Sequence, residues 1–340
     1  MSRGQCDGDE SVRLVSPLLK HIVYPGLSKA GYLRHAAGTR PAVLTYHGVL
    51  PTEYKVVDPG LDGSVVSSEA FRCQLRFLKS CYNLISPQEF LLWGESEHKF
   101  PPGSVLLTCD DGLKNSLFDM VPILQEQGLR CLFFVTGASL TNTPTMLWYE
   151  ELYLMFLAGP ENFALDLPEI GLQANIDDKK KRRLWWDLVK KLSRYGIDRR
   201  SALLGNVKVQ LGLSERWDAE YREDRACSRR FLVLNRAELQ QLAAAGMCIG
   251  AHTISHPMLS QLSPELAWSE ISESKHKLEQ ALGQRISAFA YPFGDSSSVT
   301  PRELEMAERA GFRCAFLNVG GGFGSRTPKL LCPGCTSPQR

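Results

Sequence analysis

No stretch of this 340-residue chain holds the roughly 18 consecutive apolar residues that a bilayer-spanning helix needs, so a transmembrane protein is not expected. The opening residues MSRGQCDGDESVRLV lack the basic-then-apolar order of a secretory signal, which predicts a cytoplasmic protein. Charge of one sign is also missing. Against 39 basic side chains stand 37 acidic ones, a net charge of +2, so no overall field draws in nucleic acid, and none is expected as a partner. No internal repeat of fixed period is visible, and histidine is absent after His276.

What is present suits a folded protein. A hydrophobic content of 44% lets the chain bury one large core, or one core carrying a sizeable insertion. Of the ten cysteines, Cys109, Cys131 and Cys248 lie in or beside apolar runs that read as core strands. There a free thiol behaves as a small hydrophobe, and a disulfide framework is not expected.

From Pro41 onward, short β-rich runs alternate with amphipathic stretches, the pattern of βα units around a parallel sheet. Strands are expected at AVLTY (42–46), Asn83 to Ile85, SVLLTC (104–109), RCLFFV (130–135), MCIGA (247–251), ISAFAY (286–291) and FRCAFL (312–317). Between them, Ser67 or Ser68 caps a helix with Phe71, Leu75 and Leu78 on one face, and Ser86 caps another with Pro87 in its first turn. Leu113 to Gln127 reads as one helix, RAELQQLAAAG as a helix stopped by Gly246, and Ser263-Pro264-Glu265 as the start of a long helix ending before Gly283. Thr300 and Glu303 form a capping box for the last helix. The rhythm fails over about 141–232, which reads as a mainly helical insertion within a domain at 41–330. Its basic run Lys179 to Arg183 reads as a solvated helix face, with contact to an anionic substrate as the competing reading. Residues 1–40 form an N-terminal extension, and 331–340 a tail. The extension holds an amphipathic pattern at Val12 to Val23 that packs on the domain or, alternatively, lies on a membrane surface. In the tail, Cys332-Pro333-Gly334-Cys335 has metal-knuckle spacing but no second pair, so a frayed end is expected there, and Gly320 to Gly322 reads as a plain loop.

Four polar clusters follow predicted strands: His47, Asp110-Asp111, His252 to His256, and Pro292-Phe293-Gly294. In a parallel α/β fold the strand ends converge on one face, where sites are built. Two adjacent Asp at the end of an apolar strand repel unless a cation or a shared proton intervenes, although either one could instead cap the helix that follows. Two imidazoles four residues apart across a turn can face one ion, and Pro257 biases His256 away from helix. With one Asp they make a 2-His-1-carboxylate set with open positions for water and substrate.

The motifs TCDDG (108–112), HTISH (252–256) and YPFG (291–294), in this order, resemble those of the polysaccharide deacetylase family, the NodB-homology or carbohydrate esterase family 4 enzymes. The resemblance covers about 41–330 apart from the insertion. It implies a distorted (β/α)7 barrel and metal-dependent hydrolysis of N-acetyl or O-acetyl groups on sugars. It further implies that Asp110 is the general base, that Asp111, His252 and His256 hold one divalent ion, and that Thr253 steadies the histidine loop. The first choice of ion is zinc, with iron, nickel or cobalt also compatible. The Phe293 backbone N–H is placed to stabilise the oxyanion.

Three departures from the family pattern stand out. The late Leu-x-His motif is absent, but LTYHGV (44–49) resembles a subgroup whose first strand ends in Tyr-His, which makes His47 the general acid. Cys109 replaces the common Phe, and no Arg precedes the proline motif to pair with the base. The resulting expectation is an amino-sugar deacetylase, cytoplasmic or membrane-peripheral, acting on an acetylated oligo- or polysaccharide, lipid-linked in one version. Competing readings are a hydrolase of non-sugar amides or imides on the same fold, and a carbohydrate-binding relic without activity.

Overall fold

The computed structural model describes residues 41–95, 100–143, 145–295, 297–318, 331–333 and 335–336. The stretches at 12–23 and 320–322 lie outside the described residues. In chain order the strands are β1 (Ala42–Tyr46), β2 (Val49–Leu50), β3 (Val66–Ser67), β4 (Asn83–Ile85), β5 (Ser104–Cys109), β6 (Leu132–Val135), β7 (Phe163–Leu167), β8 (Leu172–Ile176), β9 (Cys248–Ala251), β10 (Ala288–Ala290), β11 (Cys314–Leu317), β12 (Leu331–Pro333) and β13 (Cys335–Thr336). The main sheet runs β12-β11-β10-β9-β6-β5-β1-β13, with β4 added beside the start of β5, and every pairing in it is parallel. The expected α/β barrel therefore takes the form of a curled parallel sheet.

The described residues of the segment read as a frayed tail, 331–333 and 335–336, belong to this sheet. Leu331–Pro333 pairs with β11 and Cys335–Thr336 pairs with β1, so the short stretch 331–336 joins the sheet's two ends. Backbone pairing, which a cysteine-spacing argument does not sense, sets its course.

Strand parity divides the side chains between two faces. Tyr46, Val105, Leu107, Cys109, Phe133, Val135, Phe289 and Ala315 point outward, where they pack with Phe71 and Leu75, Leu239 and Leu242, Ile271 and Leu278, and Met306 from the surrounding helices. Val43, Leu106, Leu132, Phe134, Ala288, Ala290, Cys314 and Phe316 point to the concave side and form a second, smaller cluster. Both faces are covered, which is why these strands read as continuous apolar runs. Gly250 is required here, since a Cβ on it would lie 2.6 Å from the Phe134 ring.

Two local expectations differ from the structure. The helix expected over Leu113 to Gln127 is broken into a π-helical turn at Ser116–Met120 and an α-helix at Val121–Glu126. Pro122 has no N–H to continue an α-helical ladder, and the Val121 N–H reaches back to the Ser116 carbonyl instead. The insertion contains helices at Trp148–Ala158, Lys181–Leu192, Ile197–Gln210, Ala219–Glu223 and Arg225–Phe231, but also the antiparallel hairpin β7–β8. That hairpin follows from the alternation in FALDL and LQANI around a turn in which Gly171 takes φ +61°. The insertion has its own apolar core around Leu152, Phe156, Leu188, Leu192, Val207 and Phe231.

Candidate active site

The parity that fills the concave face also builds the site. On β1, Val43 and Thr45 face inward, and the next residue of that parity is His47. On β5, Leu106 and Thr108 lead to Asp110, on β9 Gly250 leads to His252, and on β11 Phe316 leads to Asn318. Thr45 and Thr108 close the apolar layer below with a 2.9 Å hydrogen bond between their hydroxyls. Above it opens a cleft of about 320 Å³ whose lining includes His47, Asp110, Asp111, His252, His256, Phe293 and Asn318. All the residues expected to act together are thus brought together, and Asn318 is added by the same period-two rule.

The backbone is forced to special conformations at this mouth. Asp111 (φ +76°), Thr253 (+64°), His256 (+53°) and Phe293 (+62°) are the non-glycine residues with positive φ among those described, and all four belong to the expected motifs. Each such residue costs on the order of 1–3 kcal/mol, which the surrounding bonds must offset. For the histidine loop those bonds are explicit. Thr253 Oγ1 donates to the His252 carbonyl and accepts from the His256 N–H at 3.0 Å. Glu270, from the helix Pro264–Leu282, accepts the Ile254 and Ser255 N–H groups at 2.9 and 2.8 Å, and the Ser255 hydroxyl as well. Arg200 of the insertion donates to the Ser255 carbonyl at 3.0 Å, and the Trp148 indole N–H donates to the His256 carbonyl at 3.1 Å.

Neither Asp110 nor Asp111 serves as a helix cap. One Asp111 oxygen lies 3.3 Å from His256 Nε2 and 3.7 Å from His252 Nε2. The Tyr149 hydroxyl donates to its other oxygen at 3.4 Å. His252 Nδ1 sits 2.8 Å from the Ala290 carbonyl, so Nδ1 carries the proton and Nε2 presents its lone pair to the cleft. Burial, and after it the proximity of His256, lowers His252 to about 3, which keeps the ring neutral. Burial and then the adjacent Asp111 charge push the Asp110 carboxyl well above its ordinary value, with His256 pulling the other way. For Asp111, burial is outweighed by the hydrogen bond to His256 and then by the histidines around it, and its carboxyl is held low. Two neighbouring carboxyls are thus driven apart, Asp110 toward its protonated form and Asp111 toward its ionised one.

The residues fit a metal ion. Ligand atoms of Asp111, His252 and His256 lie within 4.8 Å of one another, and all three residues are buried. Asp110 Oδ1 is buried with no hydrogen-bond partner, aligned with a role that needs a free oxygen.

Several wall residues were not legible in the sequence. Tyr149, Glu150, Trp185, Trp186 and Arg230 reach the cleft from the insertion. Arg230 is fully buried, and its guanidinium holds Asp62 at 2.7 Å and Glu150 at 2.8 Å. In the basic run, Lys179, Lys180, Arg182 and Arg183 are exposed, as a solvated face requires, while Lys181 is buried.

Comparison with known proteins agrees with this geometry. A sequence profile described as polysaccharide deacetylase matches residues 97–315. YxkH of Bacillus subtilis (strain 168) is 30% identical over 80 residues, which make up 24% of this chain and 28% of that protein. The fold is similar to that of the deacetylase PplD of Streptococcus pyogenes, at TM-score 0.52 and 18% identity, with 88% of this chain and 92% of that one covered. It is also similar to a de-N-acetylase from Aggregatibacter actinomycetemcomitans, at TM-score 0.51 and 13% identity, with 87% and 94% covered. IcaB from Ammonifex degensii gives TM-score 0.50 at 18% identity, with 82% and 84% covered. The solved structures bear on the fold alone. The profile, matched over well more than half of the chain and across all three motifs, shows that this protein belongs to the polysaccharide deacetylase family.

Proposed function

We propose that the protein is a metal-dependent deacetylase that removes N-acetyl groups from an amino-sugar polymer during assembly of a surface polysaccharide. The observation that carries this reading is the pairing of a compact Asp111, His252 and His256 cluster with an unpartnered, buried Asp110 oxygen beside it. Asp111, His252 and His256 hold the ion, with zinc the first candidate for a two-nitrogen, one-oxygen set. The ion, when bound, supplies a Lewis acid for the acyl carbonyl and acidifies a water molecule. Asp110 takes the proton from that water. Phe293 donates its backbone N–H, which has no acceptor among the described residues, to the developing oxyanion. His47, at the end of β1 and on the same cleft, returns a proton to the departing amine nitrogen. Tyr149 and Thr253 hold the ligand carboxylate and the histidine loop in place.

The test is acetate release from N-acetylglucosamine oligomers before and after chelation, with each divalent metal added back separately. Release that stops with chelator and returns with one ion is expected. Asp110→Asn should keep its metal and lose turnover by about 10²–10⁴-fold, the usual worth of a general base. His252→Ala should lose both, and His47→Ala should lose turnover at unchanged metal content. Acetate release that survives chelation, or an active Asp110→Asn enzyme, would overturn the assignment. Release from small linear or cyclic amides but from no saccharide would move the substrate outside the sugars.

A further inference from the structure

A continuous aromatic wall leads out of the site. The His256 ring packs against Phe293 at 4.9 Å between centroids, and Phe293 packs edge-on against Trp186 at 6.0 Å. Trp186 in turn meets Trp185 at 5.6 Å. Both tryptophans line the cleft and sit on the helix Lys181–Leu192. Their situations differ sharply. Trp185 is anchored, its indole N–H donating to the Tyr149 carbonyl at 2.6 Å and its ring packed on Tyr153 at 5.1 Å. Trp186 is 37% exposed, and its indole N–H has no partner among the described residues. The Lys190 ammonium lies over the ring at 5.9 Å from its centroid, at the outer limit of a cation–π contact.

A large indole left open beside the cleft, packed against an anchored neighbour, is suited to an amphipathic ring that offers C–H groups on its face and hydroxyls at its edge. On the reading of the site as an amino-sugar deacetylase, we propose that Trp186 is a stacking platform for the sugar unit next to the one being deacetylated. Phe293 stands between the platform and His256, so the group seated on Trp186 is not the acyl group facing the ion. The substrate class is therefore an oligosaccharide or longer polymer, rather than a free monosaccharide. The unpartnered indole N–H and the Lys190 ammonium supply donors for hydroxyls of the seated unit.

The test separates binding from chemistry. N-acetylglucosamine and its tetramer are titrated calorimetrically into the metal-loaded Asp110→Asn protein and into the same protein carrying Trp186→Ala or Trp186→Tyr. Tetramer affinity should exceed monomer affinity in the parent, fall about tenfold in Trp186→Ala, and be largely restored by Trp186→Tyr. Monomer and tetramer should then bind Trp186→Ala about equally. Equal affinity for the two sugars in the parent, an unchanged tetramer affinity in Trp186→Ala, or no saccharide binding by the parent would overturn the inference. If the tetramer binds through Trp186 while the wild-type protein releases no acetate from it, the platform stands and the assigned reaction falls.

Discussion

At the scale of single residues, the site is built against stability. Asp110 is buried beside Asp111, and its raised carboxyl pKa means that the folded protein without metal retains a proton that the unfolded chain gives up near 3.8. The stability linked to that group is fully present below the unfolded value and is lost as pH rises toward the folded one. Asp110→Asn removes this loss. The metal-free variant should melt higher than the metal-free parent at pH 7, and the two should converge as the buffer approaches about pH 4. Equal melting temperatures at both pH values would show that the carboxylate is relieved in some other way. His252 works in the opposite direction. Its lowered value means that the unfolded chain takes up a proton between about 6.5 and 3 that the folded one refuses, so acid weakens the fold over that window. Asp110, His252 and His47 were all legible in the sequence, because each is the first residue past a predicted strand and keeps that strand's inward parity. Asn318 could have been found by the same count.

At the scale of elements, the histidine loop is a turn stretched between supports that lie far from it in the chain. Glu270 neutralises two N–H groups and one hydroxyl of that turn from a neighbouring helix, and Arg200 reaches its Ser255 carbonyl from the insertion. Outer partners of metal ligands typically change affinity by about 10–100-fold when removed. Glu270→Ala is therefore expected to weaken metal binding by that factor, as read by competition with a chelator of known affinity, while both histidines remain. Unchanged affinity would mean that Thr253, Arg200 and Trp148 fix the loop without Glu270. The sequence shows the helix Pro264–Leu282 and its caps at Ser263 and Gly283 with good precision. Periodicity puts Glu270 on the inward stripe with Ala267, Ile271, Ser274 and Leu278, but it does not show that the carboxylate there meets the histidine loop. The break at Pro122 illustrates the same boundary. Proline announces a disturbed helix, but the choice of a π-helical turn depends on what packs around it.

At the scale of the whole molecule, a buried ionic knot ties the insertion to the chain that precedes it. Arg230, at the end of the insertion, ties Asp62, from the short helix Pro59–Asp62 between β2 and β3, to Glu150 at the insertion's start. Removing one partner of a fully buried pair typically costs about 3–5 kcal/mol, because the charge left behind has no water. Arg230→Met should lose that much in chemical denaturation. A loss below about 1 kcal/mol would mean that the carboxylates take up protons at little cost. None of this could be read from 141–232 as sequence, because partners of Arg230 lie 80 and 168 residues away and no period connects them. The pairing of Leu44 with Cys335 spans the chain even more widely. During synthesis on the ribosome, β1 emerges early, and the side of it that β13 will cover remains an open strand edge until nearly all the other strands have been made. From the completion of β1 until β13 is made, each nascent chain therefore carries an unsatisfied sticky border, and a product stalled in that interval is predisposed to associate with its own kind along it.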